Sequence, residues 1–303
     1  MHNGVLNIDK PSGPTSHDIV DQVRRVTGVR RVGHAGTLDP LASGVLLVCV
    51  GQATRVAEYL MSMRKAYRAR VKLGVETDTY DAEGAVVAQS AVCVARDEVE
   101  SALAQFRGRI RQVPPAYSAI KRRGTPLHRL ARRGIEVSAA AREVEVYELA
   151  LTVWEPPELV LEVTCSSGTY IRSLAHDLGR TLGCGASLTA LTRLACGKFR
   201  IENAVTVEVC AEAIAEGRER DVLIPTDLAL SELPALHVDA EAARRLCHGQ
   251  PVTGPCPPAQ AGSGQEPALA RIYGPQEQFL AVGAYEWESD VWRPAKVFYT
   301  PEV

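Results

Sequence analysis

The chain lacks the signatures of several common classes of protein. It has no CxxC pair and no histidine at metal-ligand spacing from its eight cysteines, so neither a zinc site nor a disulfide framework is predicted. It has no GxGxxG or GxxxxGK[ST] motif, which argues against a nucleotide cofactor. No apolar run approaches the roughly 20 residues of a membrane helix, and the first residues do not resemble a signal peptide. We therefore expect a cytoplasmic protein with reduced, mostly buried thiols and no cofactor or metal.

Acidic residues are missing from one long segment, although the net charge of the 303 residues is only −2. Residues 101–135 contain nine Arg or Lys and no acid, whereas residues 205–232 contain seven acids and two Arg. An ordinary solvated helix face is the alternative interpretation, although such a face normally mixes positive and negative charges. The separation favours a basic surface that attracts a polyanion.

Hydrophobic periodicity predicts both helices and strands in the first two thirds of the chain. TSHD at 15–18 fits a capping box before an apolar stripe that Gly28 ends, which predicts a helix. Residues 66–73 alternate between apolar and charged side chains and predict a strand with a charged outer face. Residues 143–154 predict another strand, with a bulge near Glu148 where the alternation slips.

Further elements follow the same reasoning. A helix is predicted to open at Asp97, a strand to cover residues 159–165, and a second long helix to follow the turn SSGTY and stop at Gly183. The stretch SLTALTRLACG, residues 187–197, shows a shorter helical pattern. Because strands and helices alternate without a regular βαβ period, we predict an α+β fold with a mixed central sheet flanked by helices.

The character of the sequence changes near Leu236. One short helix, DAEAARRLCHG, is followed by the strand-like pieces ALARIYG, QFLAVGAYEW and AKVFYT, the last beginning at Ala295. A loop at residues 254–267 among them is too rich in Pro, Gly and polar residues to pack. The natural division is a large domain over residues 1–234 and a small β-rich module over residues 235–303.

One carboxylate stands out in the stretch GHAGTLDPLASG. Asp39 is the only acid between Gln22 and Ala57, an interval with five arginines that would favour its ionised form if they lie close in space. Pro40 and the neighbouring glycines restrict the backbone, as rigid presentation of a nucleophile requires. A tight Asp-Pro turn without chemistry is the competing interpretation.

Other candidate residues are uninformative by themselves. Tyr67 and Tyr170 are more often core residues, and His34 and Arg172 have ordinary structural explanations. Glycoside hydrolysis usually needs two carboxylates, and no second acid is near Asp39 in sequence. The acids of TDTYDAEG do not have calcium-loop spacing, so a polar turn is expected there.

Six segments together resemble the TruB-type tRNA pseudouridine-55 synthases, over residues 4 to 200 or so, and the C-terminal module resembles that family's PUA domain. The segments are GVLNIDKPSGPTSHDIV, GHAGTLDPLASGVLLVCVG, KAYRARVKLGVETDTYDAEG, PPAYSAIKRRGTPLHRLARRG, CSSGTYIRSLAHDLG and LTRLACGKF. Their common order and spacing are far more specific than a single GTLDP motif. The resemblance implies a catalytic domain at 1–234 and an RNA-binding PUA-like module at 235–303.

The resemblance also implies a role for individual residues. Asp39 resembles the catalytic aspartate, Arg172 the arginine that pairs with it, and Tyr67 the tyrosine that stacks on the uracil and transfers a proton. Tyr170 and Leu191 resemble residues of the base pocket, and His34 a histidine that helps to hold the flipped-out nucleotide. The candidate contacts to the RNA backbone are Lys10, Lys121, Arg122 and Arg123.

The implied activity is isomerisation of uridine 55, in the tRNA T loop, to pseudouridine. It requires no cofactor or metal, and we expect tRNA as partner, no obligate protein partner and a monomer. Two alternatives stay open: a non-catalytic tRNA-binding or tRNA-folding protein on the same scaffold, and the subunit of an RNA-guided synthase. The complete set of aspartate, arginine and tyrosine favours the enzyme, because binding alone requires none of them.

Overall fold

A computed structural model describes residues 2–118, 121–122, 124–127, 135, 139–257 and 268–299. Its strands are β1 (Gly4–Lys10), β2 (Val32–His34), β3 (Ala42–Val50), β4 (Lys65–Leu73), β5 (Val75–Thr77), β6 (Val86–Gln89), β7 (Gly108–Gln112), β8 (Lys121–Arg122), β9 (Thr125–Pro126), β10 (Arg142–Glu155), β11 (Glu158–Cys165), β12 (Ala186–Cys196), β13 (Phe199–Arg200), β14 (Leu223–Ile224), β15 (Ala235–His237), β16 (Leu269–Tyr273), β17 (Phe279–Glu286) and β18 (Val291–Val297). The α-helices are α1 (Ser16–Thr27), α2 (Ala57–Ser62), α3 (Arg96–Leu103), α4 (Ile171–Thr181), α5 (Val207–Ala215), α6 (Thr226–Ala229) and α7 (Ala240–Cys247).

A large mixed sheet forms the centre of the molecule. Its order is β14-β1-β3-β12-β4-β11-β10-β7, with β2 beside β3 and β13 beside β12. Within it β3 and β12 run parallel, and the other pairs are antiparallel. The predicted α+β class is therefore confirmed. The pairing places β12, from late in the chain, between the early strands β3 and β4.

The two faces of this sheet are covered differently. One face packs against α1, α3, α4 and α5 in a continuous apolar cluster that includes Ile19, Val71 and Leu174. The other face is covered near β1 and β3, where Leu47 packs in a cluster with Val282 of β17. On β4 and β11 that face carries charged residues, including Arg68 and Arg70, which confirms the predicted charged outer face of β4.

Several predicted elements are confirmed. Helix α1 has the full capping box, in which the Thr15 side chain accepts from the backbone of Asp18 and the Asp18 carboxylate accepts from the backbone of Thr15. Gly28 ends the helix in a left-handed conformation. Strand β10 shifts register between Val146 and Glu148, where the bulge was predicted.

The helix predicted within residues 187–197 is wrong, because this segment is strand β12. Its register against β4 shifts between Leu188 and Ala190, which leaves one extra residue in the strand. Leu188 and Leu191 consequently both face the core although they are three residues apart. A bulge thus gave a strand the spacing that is typical of a helix.

Two boundaries also differ from the prediction. Helix α3 begins at Arg96, not after Asp97, and Glu98 accepts a hydrogen bond from the backbone of Ala95 at 2.7 Å. Strand β18 begins at Val291, several residues before the predicted strand at Ala295. In each case the sequence signal lies inside the element, where periodicity is clear, and not at its end.

The C-terminal segment forms its own sheet, in the order β15-β16-β17-β18, beside α7. It also contacts the large sheet's region, since Lys296 forms an ion pair with Glu58 at 2.9 Å and Tyr273 donates to Asp227 at 3.1 Å. The division at residues 234 and 235 stays a prediction. Most of the loop at 254–267 lies outside the described residues.

Two expectations about composition can be compared with the structure. Five of the eight cysteines are buried, namely Cys49, Cys165, Cys184, Cys196 and Cys210. Among the described residues, no helix is long and apolar enough to cross a membrane.

We predict that Gly44 is required by the close approach of β3 to β12. Its φ is +95°, and a Cβ there would lie 2.3 Å from the backbone oxygen of Arg193. Gly44→Ala should therefore cost at least about 3 kcal/mol of unfolding free energy, measured by urea denaturation. Gly28→Ala is the matched control, because Gly28 has φ +65° with no atom near its Cβ position, and should cost only about 1 kcal/mol. Equal losses in the two variants would contradict the steric explanation.

Candidate active site

Asp39 lies in the tight connection between β2 and β3. The Asp39 carbonyl accepts from Ala42 N at 3.0 Å. On one side of it, Ser16 of α1 both donates to the Leu38 carbonyl and accepts from the Leu38 amide, at 3.0 and 2.8 Å. On the other side, Pro40 O accepts from Gly13 N at 2.8 Å. Hydrogen bonds on both flanks therefore fix the backbone that presents the carboxylate.

The Asp39 carboxylate forms an ion pair with Arg172, at the start of α4. Arg172 Nη2 lies 3.0 Å from Asp39 Oδ2, and Nη1 lies 3.1 Å from Asp81 Oδ2. The same guanidinium donates to the carbonyls of Thr79 at 3.2 Å and Tyr117 at 2.9 Å. The side chains of Arg172 and Asp81 are each 5% exposed, whereas that of Asp39 is 39% exposed. The accessible member of this charged triad is thus Asp39.

The surroundings of Asp39 differ from the sequence expectation. Burial of the Asp39 carboxyl raises its pKa, the Arg172 charge opposes that rise, and the negative charge of Asp81 adds to it. The sequence expectation applied only if the neighbouring arginines lie close to Asp39, and two of them bind elsewhere. Arg24 pairs with Asp21, and Arg55 donates to the Val297 carbonyl in the C-terminal sheet. The cation that matters comes from a segment more than a hundred residues away.

A cavity of about 510 Å³ opens in front of Asp39. Besides Asp39 and Arg172 it is lined by three residues named from the sequence: Tyr67 of β4, Tyr170 and Leu191 of β12. Tyr67 and Leu191 are 9% and 8% exposed. Tyr170 is half-buried, and its ring lies under the guanidinium of Arg142 at 4.6 Å. The structure therefore brings five predicted site residues to one cavity.

His34 lies apart from this group, in an adjoining cavity of about 630 Å³. Asp39 and Arg172 line both cavities, so they form the wall between them. Burial lowers the pKa of His34. Its Nδ1 atom is buried without a hydrogen-bond partner in the described part of the chain.

Sequence reasoning missed residues that hold these side chains in place. Asp81 lies in the polar turn expected over TDTYDAEG, but its carboxylate points inward to Arg172 and also accepts from Thr79 Oγ1 at 2.6 Å. Gln112 holds the backbone of Tyr170, because its Oε1 accepts from Tyr170 N at 2.7 Å and its Nε2 donates to Tyr170 O at 3.0 Å. Only the quoted segment TDTYDAEG offered a signal for Asp81. We find none for Gln112.

The assignments to the RNA backbone fare less well. Lys10 is fully buried, and its Nζ donates to the carbonyls of Pro11 at 2.8 Å and Ala42 at 2.7 Å. Burial lowers its pKa to about 8. Lys10 thus supports the Asp39 connection from inside and has no surface for a phosphate, which corrects the prediction. Arg123 and the side chains of Lys121 and Arg122 lie outside the described residues.

Three family models match the chain. The N-terminal domain of the TruB family pseudouridylate synthases matches residues 24–171, the C-terminal domain of tRNA pseudouridylate synthase B matches residues 172–231, and the C-terminal model of pseudouridine synthase II TruB matches residues 234–292. A protein named tRNA pseudouridine synthase B from Dehalococcoides mccartyi is 42% identical over 99% of this chain and 97% of its own. The chain belongs to the TruB family of pseudouridine synthases, which confirms the resemblance.

Further similar proteins agree with this result. Proteins also named tRNA pseudouridine synthase B are 47% identical in Syntrophotalea carbinolica, over 83% of this chain and 82% of that one, and 44% identical in Pseudomonas aeruginosa, over 84% of each. A chain of a Cbf5-Nop10-Gar1 complex has a TM-score of 0.77 at 27% identity, covering 99% of this chain and 87% of that one. A chain of an H/ACA RNP bound to a substrate RNA has a TM-score of 0.73 at 25% identity, with 98% and 85% covered.

We predict that the two carboxylates on Arg172 differ in their contribution to stability. Asp81→Asn removes the buried partner of a buried cation and should cost about 3 kcal/mol. Asp39→Asn removes a partly exposed partner and leaves Asp81 in place, so it should cost less than about 1 kcal/mol. Urea unfolding of the two isosteric variants measures this difference. A larger loss for Asp39→Asn would mean that Asp39 has mainly a structural role.

Proposed function

We propose that this enzyme converts uridine 55 in the T loop of tRNA to pseudouridine, with Asp39 as the catalytic carboxylate. The observation that carries the proposal is the partly exposed Asp39–Arg172 ion pair at the wall of a cavity that Tyr67 also lines. The similarity to proteins named tRNA pseudouridine synthase B supports the choice of substrate. The proposed activity is inferred from named residues of this chain and not from the fold alone.

The proposed reaction makes modest chemical demands. The glycosidic N–C bond breaks, the uracil turns, and a new bond forms through carbon, without redox change or net addition. The Asp39 carboxylate could attack C1′ of the sugar, attack C6 of the uracil, or remove a sugar proton to give a glycal. Each of the three routes requires the ionised carboxylate. Arg172 supports that form, because its charge lowers the pKa of Asp39 against the effect of burial.

The substrate would have to leave the RNA stack to reach Asp39. Flipping a nucleotide out costs a few kcal/mol. Contact of the base with an aromatic face contributes about 1–3 kcal/mol, which Tyr67 or Tyr170 could supply beside the apolar side chain of Leu191. A cavity of about 510 Å³ is within the range of small-molecule sites. We assign His34, in the adjoining cavity, to contact with the part of the loop that stays outside.

Binding of the tRNA phosphates is assigned to basic residues outside the cavity. Lys121, Arg122 and Arg123 keep this assignment as a proposal, whereas Arg107 of the same segment donates to the Leu149 carbonyl at 2.9 Å and is structural. On β7 the exposed Arg109 lies 3.9 Å from Glu143 and remains accessible. Such contacts would make tRNA binding steeply dependent on salt.

We further propose that the protein acts on free tRNA as a monomer in the cytoplasm. The solved chains from a Cbf5-Nop10-Gar1 complex and an H/ACA RNP are 27% and 25% identical to this chain, whereas the proteins named tRNA pseudouridine synthase B are 42–47% identical. An RNA-guided subunit would be inactive on tRNA by itself. Activity of the purified protein on tRNA, without added RNA or protein, would distinguish a stand-alone enzyme from an RNA-guided subunit.

We predict that Asp39→Asn abolishes turnover. The amide cannot act as a nucleophile or base, so the rate should fall at least about a thousandfold, while tRNA binding stays within a few-fold. Tritium release from tRNA labelled at uracil C5 measures turnover, and mass spectrometry of the tRNA locates the product. Near-normal turnover of a folded Asp39→Asn protein would refute the role of Asp39. Tight, salt-sensitive binding by a wild-type protein that forms no pseudouridine would favour the non-catalytic alternative.

The pH dependence should reflect the environment of Asp39. Since the ionised form is active and burial raises the pKa, kcat/KM should fall on acidification at a pH above the ordinary aspartate range. Asp81→Asn removes a negative charge that raises this pKa, so the acidic limb should move to lower pH. Asp97→Asn, on α3, is the control and should not move it. A shift to higher pH in Asp81→Asn would contradict the electrostatic explanation.

A further inference from the structure

A second arginine at the cavity lacks the partner that would explain its burial. Arg193 of β12 is 1% exposed and is among the largest fully buried side chains. Its Nε donates to the Val45 carbonyl at 2.6 Å and its Nη2 to the Gly36 carbonyl at 3.1 Å. Among the described residues, no carboxylate lies within ion-pair distance of it. A buried cation without an anion is costly, and two neutral carbonyls compensate for it only in part.

The unpaired guanidinium faces Tyr67. Arg193 and Tyr67 are directly opposite each other in the pairing of β12 with β4, and both line the cavity in front of Asp39. The charge of Arg193 and a hydrogen bond from it both act to lower the pKa of the Tyr67 hydroxyl. Because Arg193 Nη2 donates to the Gly36 carbonyl, Arg193 also links the connection that carries Asp39 to β4, the strand that carries Tyr67.

The other titratable groups around Tyr67 do not supply this charge. Cys165 of β11 and Cys196 of β12 face it, and burial raises the pKa of both thiols, so that they stay neutral. Lys65 of β4 donates its ammonium to the carbonyls of Met61 and Met63. Asp39 and Arg172 lie across the cavity and form an ion pair with each other.

We propose that Arg193 is a positioning residue for proton transfer, which acts by stabilising negative charge on the Tyr67 oxygen. The inference rests on the proposed function and concerns its last step. C5 of the detached uracil anion bonds to C1′ with the electron pair of its C5–C6 double bond, while the N1 electron pair forms an N1–C6 double bond. The C5–H bond must then break. Its electron pair restores the C5–C6 double bond, the electrons of the N1–C6 double bond move to N1, and N1 takes up a proton. A Tyr67 phenolate can accept the proton from C5 and pass it on to N1.

The environment of Tyr67 shows why such help is needed. Burial raises the pKa of Tyr67 to about 12, so its phenolate is rare at neutral pH. The charge and hydrogen bond of Arg193 oppose that rise. Each unit by which the pKa would rise without Arg193 corresponds to a tenfold smaller population of phenolate. The otherwise uncompensated cost of burying Arg193 is thereby explained by the charge that forms beside it during the reaction.

The test uses tRNA with protium or deuterium at C5 of the target uridine. Arg193→Met keeps most of the side-chain volume and removes the charge and donors. It should lower kcat about tenfold to a hundredfold with KM within about twofold. The pH–rate profile should shift to higher pH than in the wild type. A primary deuterium isotope effect should also appear, because C5–H cleavage becomes slow. Arg193→Lys, which keeps the charge, should recover part of the rate.

A merely structural role predicts different results. Arg193→Met would then lower the unfolding free energy without an isotope effect or a pH shift. Its rate loss and that of Tyr67→Phe would multiply in the double variant. We expect instead that Arg193→Met adds little to Tyr67→Phe, because the oxygen on which it acts is gone. If Arg193→Met does not fold, Arg193→Gln, which also removes the charge, replaces it in the same cycle. An unaltered rate in the Arg193 variant overturns this inference alone, whereas a wild-type protein that forms no pseudouridine overturns the proposed function and this inference together.

Discussion

The guanidinium of Arg172 lies between two carboxylates and two backbone carbonyls, and the arrangement of the site follows from this contact. One buried acid, Asp81, is enough to neutralise the buried cation. Asp39 then brings a second negative charge to a group that is already balanced. The triad carries a net charge of −1 when both acids are ionised, and the surplus is located on the carboxylate that faces the cavity. Arg172 therefore holds the Asp39 carboxylate in place, while the negative charge of the triad is not fully neutralised.

The sheet explains why these residues meet. Strand β12 lies parallel to β3 and antiparallel to β4, so Leu191 pairs with Ala42 on one side and with Ala69 on the other. The Asp39 connection enters β3 at this point, and Tyr67 is two residues from Ala69 on the same face. Arg172 comes from the first turn of a helix that packs on the same strands. A site assembled from four separate segments thus depends on one strand placed between two others.

Local physics made part of this predictable from the sequence. The capping box at Thr15 and the alternation in β4 each involve a few neighbouring residues, and both patterns held. The segment around Leu188 failed because a bulge, which depends on the partner strand, imitated the helical period. The prediction for Lys10 failed because its environment also depends on the fold. Nothing local in the sequence shows that its ammonium would bind two carbonyls inside the protein. Asp81 and Arg193 gain their meaning only from contacts across the fold, which spacing along the chain does not encode.

The two buried arginines of the site differ in what accompanies them. Arg172 has its anions in the resting protein, and it therefore contributes to the ground-state structure as well as to any chemistry. Arg193 has only neutral carbonyls and a phenol, so its full electrostatic stabilisation would be realised when negative charge forms nearby. Interactions that strengthen as charge develops are the ones that accelerate a reaction. Under the proposed function, Arg172 would set the state of the carboxylate that begins the reaction, and Arg193 that of the oxygen that completes it.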